Sequence, residues 1–221
     1  MTLKERYSAF INHFVQKKAA TTELHYENGF QLLVAVILSA QCTDKRVNET
    51  TPPLFRDFPT IADLANSNIE TLYPYISSIS YPNNKTKYLI GMAKMVISDF
   101  EGSIPHHVSD LQRLPGVGRK TAHVIASVLY NQPKMAVDTH VFRVAKRMGL
   151  VNDKAKTPLA VEKQLVKHLP KQYIIQAHHW LILHGRYVCT ARKPKCAACA
   201  LTSSCHFFSQ QKIAANDRRK S

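Results

Sequence analysis

Four cysteines fall within seventeen residues, in the pattern Cys189-x6-Cys196-x2-Cys199-x5-Cys205, and a fifth, Cys42, stands far from them. Four thiols this close commit the C-terminal stretch to fold around a common centre. The opening MTLKERYSAF carries charges where a secretory signal needs an apolar core, so secretion is not expected and a metal centre is favoured over disulfides. Four thiolates hold either one zinc ion or a [4Fe–4S] cube. Most four-cysteine zinc sites use two short paired knuckles. Here a lone C-x-x-C is flanked by longer gaps, so the spacing leans toward iron–sulfur and leaves zinc open. Inside the first gap lie Arg192, Lys193 and Lys195, three cations on a loop that such a centre would pin at both ends. A pre-ordered cationic loop is a good phosphate contact.

Thirty Lys and Arg stand against fifteen Asp and Glu, a net charge of +15. The excess is lopsided: residues 1–133 carry +2 and residues 134–221 carry +13. Such a field favours a polyanion, most often nucleic acid, over a merely solvated basic surface. The charge shift near residue 133 also marks a candidate domain boundary. A hydrophobic fraction of 45% excludes wholesale disorder. The longest apolar run, Leu32–Leu38, is far shorter than the ~18 residues a bilayer span requires.

The periodicity is helical nearly throughout, which predicts an all-α fold. Leu3, Tyr7, Phe10, Ile11, Phe14 and Val15 form one apolar stripe at helical spacing. Residues 30–40 are apolar almost all round, as in a helix at a domain centre. Further helices are expected over 84–100 with Gly102 at its cap, over 139–148 with Gly149 after it, and near 158–169 and 171–185. Asn28-Gly29 reads as a turn, and the chain from about 209 as a frayed basic tail. Cys42 reads as a small buried residue. His178, His179, Trp180 and His184 read as core packing, since no second metal-site pattern accompanies them.

Ser109-Asp110-Leu111-Gln112 fits a capping box, and the short helix it starts must stop at Leu114-Pro115-Gly116-Val117-Gly118. A second helix then begins at Arg119. Two glycines around Val117 permit a tight turn and leave backbone N–H groups uncovered. With the start of the new helix they make an anion site suited to one phosphate, reading backbone and no base. A plain helical hairpin is the bland alternative.

LPGVGRKTA at 114–122 resembles the helix–hairpin–helix of the endonuclease III family of DNA glycosylases. Val137-Asp138-Thr139-His140-Val141 is similar to the aspartate segment of that family. LSAQCTD at 38–44, HHWLILHGRYVC at 178–189 and the cysteine spacing extend the resemblance over about residues 1–210. It implies a two-domain, all-α helix–hairpin–helix glycosylase fold. A six-helix barrel domain would span 22–133, with the hairpin near 109–130. An iron–sulfur domain would be built from 1–21 plus 134–211, and 212–221 would form a basic tail. DNA would lie across the cleft between the two domains. The resemblance also implies a [4Fe–4S] cluster on Cys189, Cys196, Cys199 and Cys205.

The activity it implies is base excision repair: removal of oxidised or ring-saturated pyrimidines from duplex DNA, then cleavage of the abasic site by β-elimination. Lys120 would be the amine that attacks C1′ and forms a Schiff base. Asp138 would accept the amine proton and stabilise charge on the sugar. Its bland reading is a helix N-cap, and both can hold at once. Gln41 would fill the gap left by an extruded nucleotide. Tyr81 stands where the family usually has a leucine wedge, a departure that bears on opposite-base preference. Leu114, Gly116, Gly118, Arg119, His140, Arg192, Lys193 and Lys195 are the remaining expected DNA contacts. The implied enzyme is a cytoplasmic monomer of bacterial type, nucleoid-associated through DNA and without membrane contact. Two other readings remain: a relative with another base preference, and a non-catalytic iron–sulfur DNA-binding protein. Adenine-specific relatives lack the lysine at the position of Lys120 and add a further domain, which argues against them here.

Overall fold

The computed structural model describes residues 1–17 and 20–217, and for 214–217 the backbone alone. The described residues contain helices and no strand. The α-helices run in the order α1 (Leu3–Val15), α2 (Gly29–Leu38), α3 (Asp44–Asp57), α4 (Ile61–Asn66), α5 (Ile69–Ile76), α6 (Pro82–Phe100), α7 (Val108–Leu111), α8 (Arg119–Tyr130), α9 (Thr139–Met148), α10 (Pro158–His168), α11 (Ile174–Tyr187) and α12 (His206–Asp217). No described helix is long and apolar enough to cross a membrane. The chain forms two compact units: Glu23–Gln132, and Met1–Thr22 with Pro133–Ser221.

In the unit Glu23–Gln132, α2 is the central element. Every residue from Phe30 to Leu38 is buried, because its sequence offers no polar face to solvent. It packs on α3, α6 and α8, while α4 and α5 pack on α6. Asn28 is the N-cap of α2, its side chain accepting from the Gln31 N–H, so Asn28-Gly29 opens a helix rather than forming a turn. Helix α6 begins at Pro82, two residues before the expected start, because proline suits the first helical position. The expected capping box at Ser109 does not form. Helix α7 is a single turn starting at Val108, with His107 at the cap and no side-chain cap bond. Both Asp110 and Leu111 donate to the His107 carbonyl, which sets the helix start ahead of Ser109.

In the other unit α1 lays its apolar stripe into a core made by α9, α10 and α11. Tyr7, Phe10 and Phe14 are buried among Val141, Val144, Leu165, Ala177 and Trp180. Phe14 stacks on Trp180 with ring centroids 5.6 Å apart, and the Tyr7 hydroxyl donates to the Leu150 carbonyl at 2.8 Å. Burying each such aromatic is worth roughly 1.5–3 kcal/mol, enough to hold an N-terminal helix far from its partners in sequence. The segment from 209 is not a frayed tail as far as it is described. It continues α12 to Asp217, and α12 packs on α9. Residues 218–221, the rest of the expected tail, lie outside the described residues.

Candidate active site and cysteine centre

Leu114 to Lys120 make the turn between α7 and α8. Gly116 lies at φ +80°, and a Cβ there would sit 2.9 Å from Tyr88 Cβ and 3.2 Å from Ile37 Cγ2. Only glycine meets both demands. Gly118 is different. Its backbone is extended and a Cβ would meet nothing within 4 Å, so it is the open front of the turn. Gly118 is the N-cap of α8 and supplies no side chain to the first-turn N–H groups. A helix start without a side-chain cap suits an anion. Leu114 is only 2% exposed, so its side chain belongs to the core and only its backbone can face a ligand.

Arg119 and Lys120 are the first two residues of α8 and both are exposed. The Lys120 amine has no partner among the described residues. Asp138 is in the other unit, half-buried, at the N-cap of α9. Its Oδ1 accepts from the Val141 N–H at 2.8 Å, and Oδ2 takes no partner among the described residues. One oxygen therefore orients the carboxylate while the other can accept a proton. His140 is half-buried, with Nδ1 3.1 Å from an Arg143 nitrogen. Arg143 also donates to the Gly185 and Cys189 carbonyls, so His140 is tied to α11.

Gln41 and Tyr81 line one open groove of about 360 Å³, together with Ile37, Ala40, Asn84, Lys85, Tyr88 and Gly116. The structure thus brings three expected DNA contacts together within one unit. Tyr81 is 61% exposed. Both Gln41 (φ 54°) and Tyr81 (φ 58°) are left-handed, a conformation that costs a non-glycine residue about 1 kcal/mol or more and persists where neighbours enforce it. Lys85, absent from the sequence reading, is buried in the wall of this groove. Cys42 is half-buried, more open than expected, because it follows the exposed Gln41 on the same turn.

The four C-terminal cysteines line one small cavity with Met148, Val188, Leu201, Phe207 and Phe208. None is in a disulfide. Among the described residues no three Cys, His, Asp or Glu side chains converge closely enough to hold a single metal ion. Four thiols lining one cavity fit the donor set of a thiolate-bound metal centre. Burial pushes the Cys196 and Cys205 thiols up, so binding must displace their protons. Arg147 braces this region: it donates to the Thr190 and Ala191 carbonyls at 2.7 Å each and to Cys189 Sγ at 3.5 Å, and it lies over the Phe207 ring. Arg192, Lys193 and Lys195 are exposed on the loop so held. His178, His179, Trp180 and His184 are buried, with His178 Nδ1 2.8 Å from the Ala136 carbonyl. His184 Nε2 lies 3.8 Å from Cys199 Sγ.

Residues 34–171 match the HhH-GPD superfamily base excision DNA repair protein family. The chain is 48% identical to endonuclease III of Rickettsia felis, over 85% of this chain and 87% of that protein. It is 40% identical to endonuclease III of Escherichia coli, over 85% of this chain and 88% of the relative. A solved structure of a trapped endonuclease III–DNA covalent intermediate is similar at a TM-score of 0.87 and 38% identity, covering 96% of this chain and 99% of the other.

Proposed function

The chain belongs to the endonuclease III family of base excision DNA repair proteins, and on that premise we propose that it is a bifunctional DNA glycosylase and abasic-site lyase acting on oxidised or ring-saturated pyrimidines in duplex DNA. The observation that carries the reading is Lys120: an exposed amine in the first turn of a helix without a side-chain cap. A covalent DNA intermediate trapped on a relative of the same fold supports it.

The chemistry follows from an amine nucleophile. The Lys120 lone pair bonds to C1′ of the damaged nucleotide, and the C1′–N bond breaks with its electrons leaving on the base, which is protonated. The carboxylate of Asp138 takes the proton released from the amine, with its free Oδ2 as acceptor. Ring opening of the sugar yields the imine, which acidifies the C2′ hydrogen. Loss of that proton expels the 3′ phosphate. The first-turn N–H groups of α8 and Gly118 bind a backbone phosphate, and Arg192, Lys193 and Lys195 bind others. Gln41 and Tyr81 occupy the gap left by the extruded nucleotide.

Cys189, Cys196, Cys199 and Cys205 hold a [4Fe–4S] cluster, whose contribution when bound is to fix the cationic loop of the first gap. The enzyme acts as a cytoplasmic, nucleoid-associated monomer. The test is incubation with oligonucleotides that each carry one lesion, quenched with borohydride. A covalent adduct is expected with ring-saturated pyrimidines and lost in K120A. Adduct retained in K120A, or none formed by the intact chain, overturns the assignment.

A further inference from the structure

Lys85 has surroundings unusual for a lysine. It is 4% exposed and pairs with no carboxylate among the described residues. Its Nζ donates instead to the Leu38 carbonyl at 2.8 Å and the Ala40 carbonyl at 2.6 Å. The Leu38 carbonyl is at the C-terminal end of α2, where the helix dipole favours a cation, and the Ala40 carbonyl lies two residues beyond it in the following turn. Burial holds the Lys85 ammonium below the ordinary lysine range, an expense that a purely structural position meets more simply with an apolar residue.

The same residue reaches both left-handed turns of the groove. Its ammonium grips Ala40, the residue before Gln41. Its backbone N–H donates to the Tyr81 carbonyl at 3.1 Å. Any residue at 85 could supply the second bond, but only a long cation or donor supplies the first. Without it the Leu38 and Ala40 carbonyls lose their donor and the Gln41 turn is free to relax from its left-handed conformation.

We propose that Lys85 is a positioning residue that locks the Gln41 turn to the Tyr81 turn, so that both side chains enter the duplex as one rigid unit when a nucleotide is extruded. The proposal rests on the glycosylase–lyase reading and deepens it, since it concerns opening the duplex and leaves the Lys120 chemistry untouched.

The test compares the holoenzyme with its K85M variant on two substrates: a duplex carrying a ring-saturated pyrimidine, and a single strand carrying an abasic site. Only the first must be opened. Borohydride trapping on the duplex lesion is expected to slow by between about tenfold and a hundredfold, the cost of a displaced positioning group. Trapping on the single strand should be unchanged. A 2-aminopurine opposite the lesion should lose its fluorescence rise in K85M. Equal losses on both substrates, or no loss on either, overturn the proposal. No trapping by the unmodified enzyme on either substrate is a different result, the failure of the glycosylase–lyase reading itself. Should K85M not fold, Q41A, Y81A and the double variant decide the matter in the Lys85 background. A locked pair predicts that the double variant loses no more than the worse single one. Losses that multiply overturn the proposal.

Discussion

Asp138 carries two duties that one substitution can separate. As an N-cap it satisfies the Val141 N–H, a contribution of about 1 kcal/mol. As a proton acceptor it needs a charged oxygen. D138N keeps the cap and removes the acceptor, so thermal unfolding should match the parent while glycosylase turnover collapses. D138A should lose turnover and also about 1 kcal/mol of stability, read from denaturant midpoints. Full turnover in D138N would confine Asp138 to the cap. The two hairpin glycines separate in a similar way. G116A forces a side chain into a left-handed residue against Tyr88 and Ile37, and should cost about 1–3 kcal/mol. G118A meets open space, so stability should move by less than about 0.5 kcal/mol. Its methyl group stands where a phosphate must approach, so duplex affinity should fall, which fluorescence anisotropy would measure. Asp138 was legible in the sequence because a cap and a motif are both local. Lys85 was not, because its meaning depends on two carbonyls some 45 residues away that only the fold delivers to it.

Among the elements, α9 could be read from its letters almost to the residue, since Asp138 caps it, Gly149 ends it in the left-handed region, and Lys146 and Arg147 suit its last turn. α12 could not. Its first turn is held by ring contacts with Arg147 and by Cys205 beside it, which are tertiary, so a basic, weakly periodic stretch read as tail. The misplaced capping box at Ser109 has a local origin instead, because the backbone bonds to His107 outweigh the side-chain signal. α11 carries a pH dependence that no pattern could reveal. His179 is buried, and burial lowers its pKa to about 4 from an ordinary 6.5. The unfolded chain therefore takes up the proton first. Stability is complete above about pH 6.5 and is lost as pH falls toward 4, by up to roughly 3 kcal/mol for a shift of this size. Urea midpoints at pH 7.5, 5.5 and 4.5 should trace that loss, and H179Q should make the curve shallower, with buried His184 still contributing in the same direction. A parent whose midpoint is level down to pH 4.5 would show that His179 charges without leaving its site.

At the scale of the whole molecule, charge and folding respond to different forces, and salt tells them apart. The ion pairs among the described residues, such as Lys45–Glu49 and Arg113–Asp99, lie at the surface, each worth under about 1 kcal/mol. The cores are apolar. Raising salt should therefore leave unfolding midpoints nearly level while duplex binding weakens steeply, because an excess of +15 must act through phosphate neutralisation. Each phosphate contact contributes about 0.9 to the slope of log affinity against log salt, so neutralising Arg192, Lys193 and Lys195 together should lower that slope by about 2.7. These three cations extend from a loop held by Arg147 and flanked by Cys189 and Cys196. If the cysteine centre serves to order that loop, C199S should lose iron by metal analysis and lower the slope by a similar amount, with all three cations still in the chain. An iron-free C199S that folds and keeps the full slope would separate the centre from DNA binding and leave Arg147 alone as the brace.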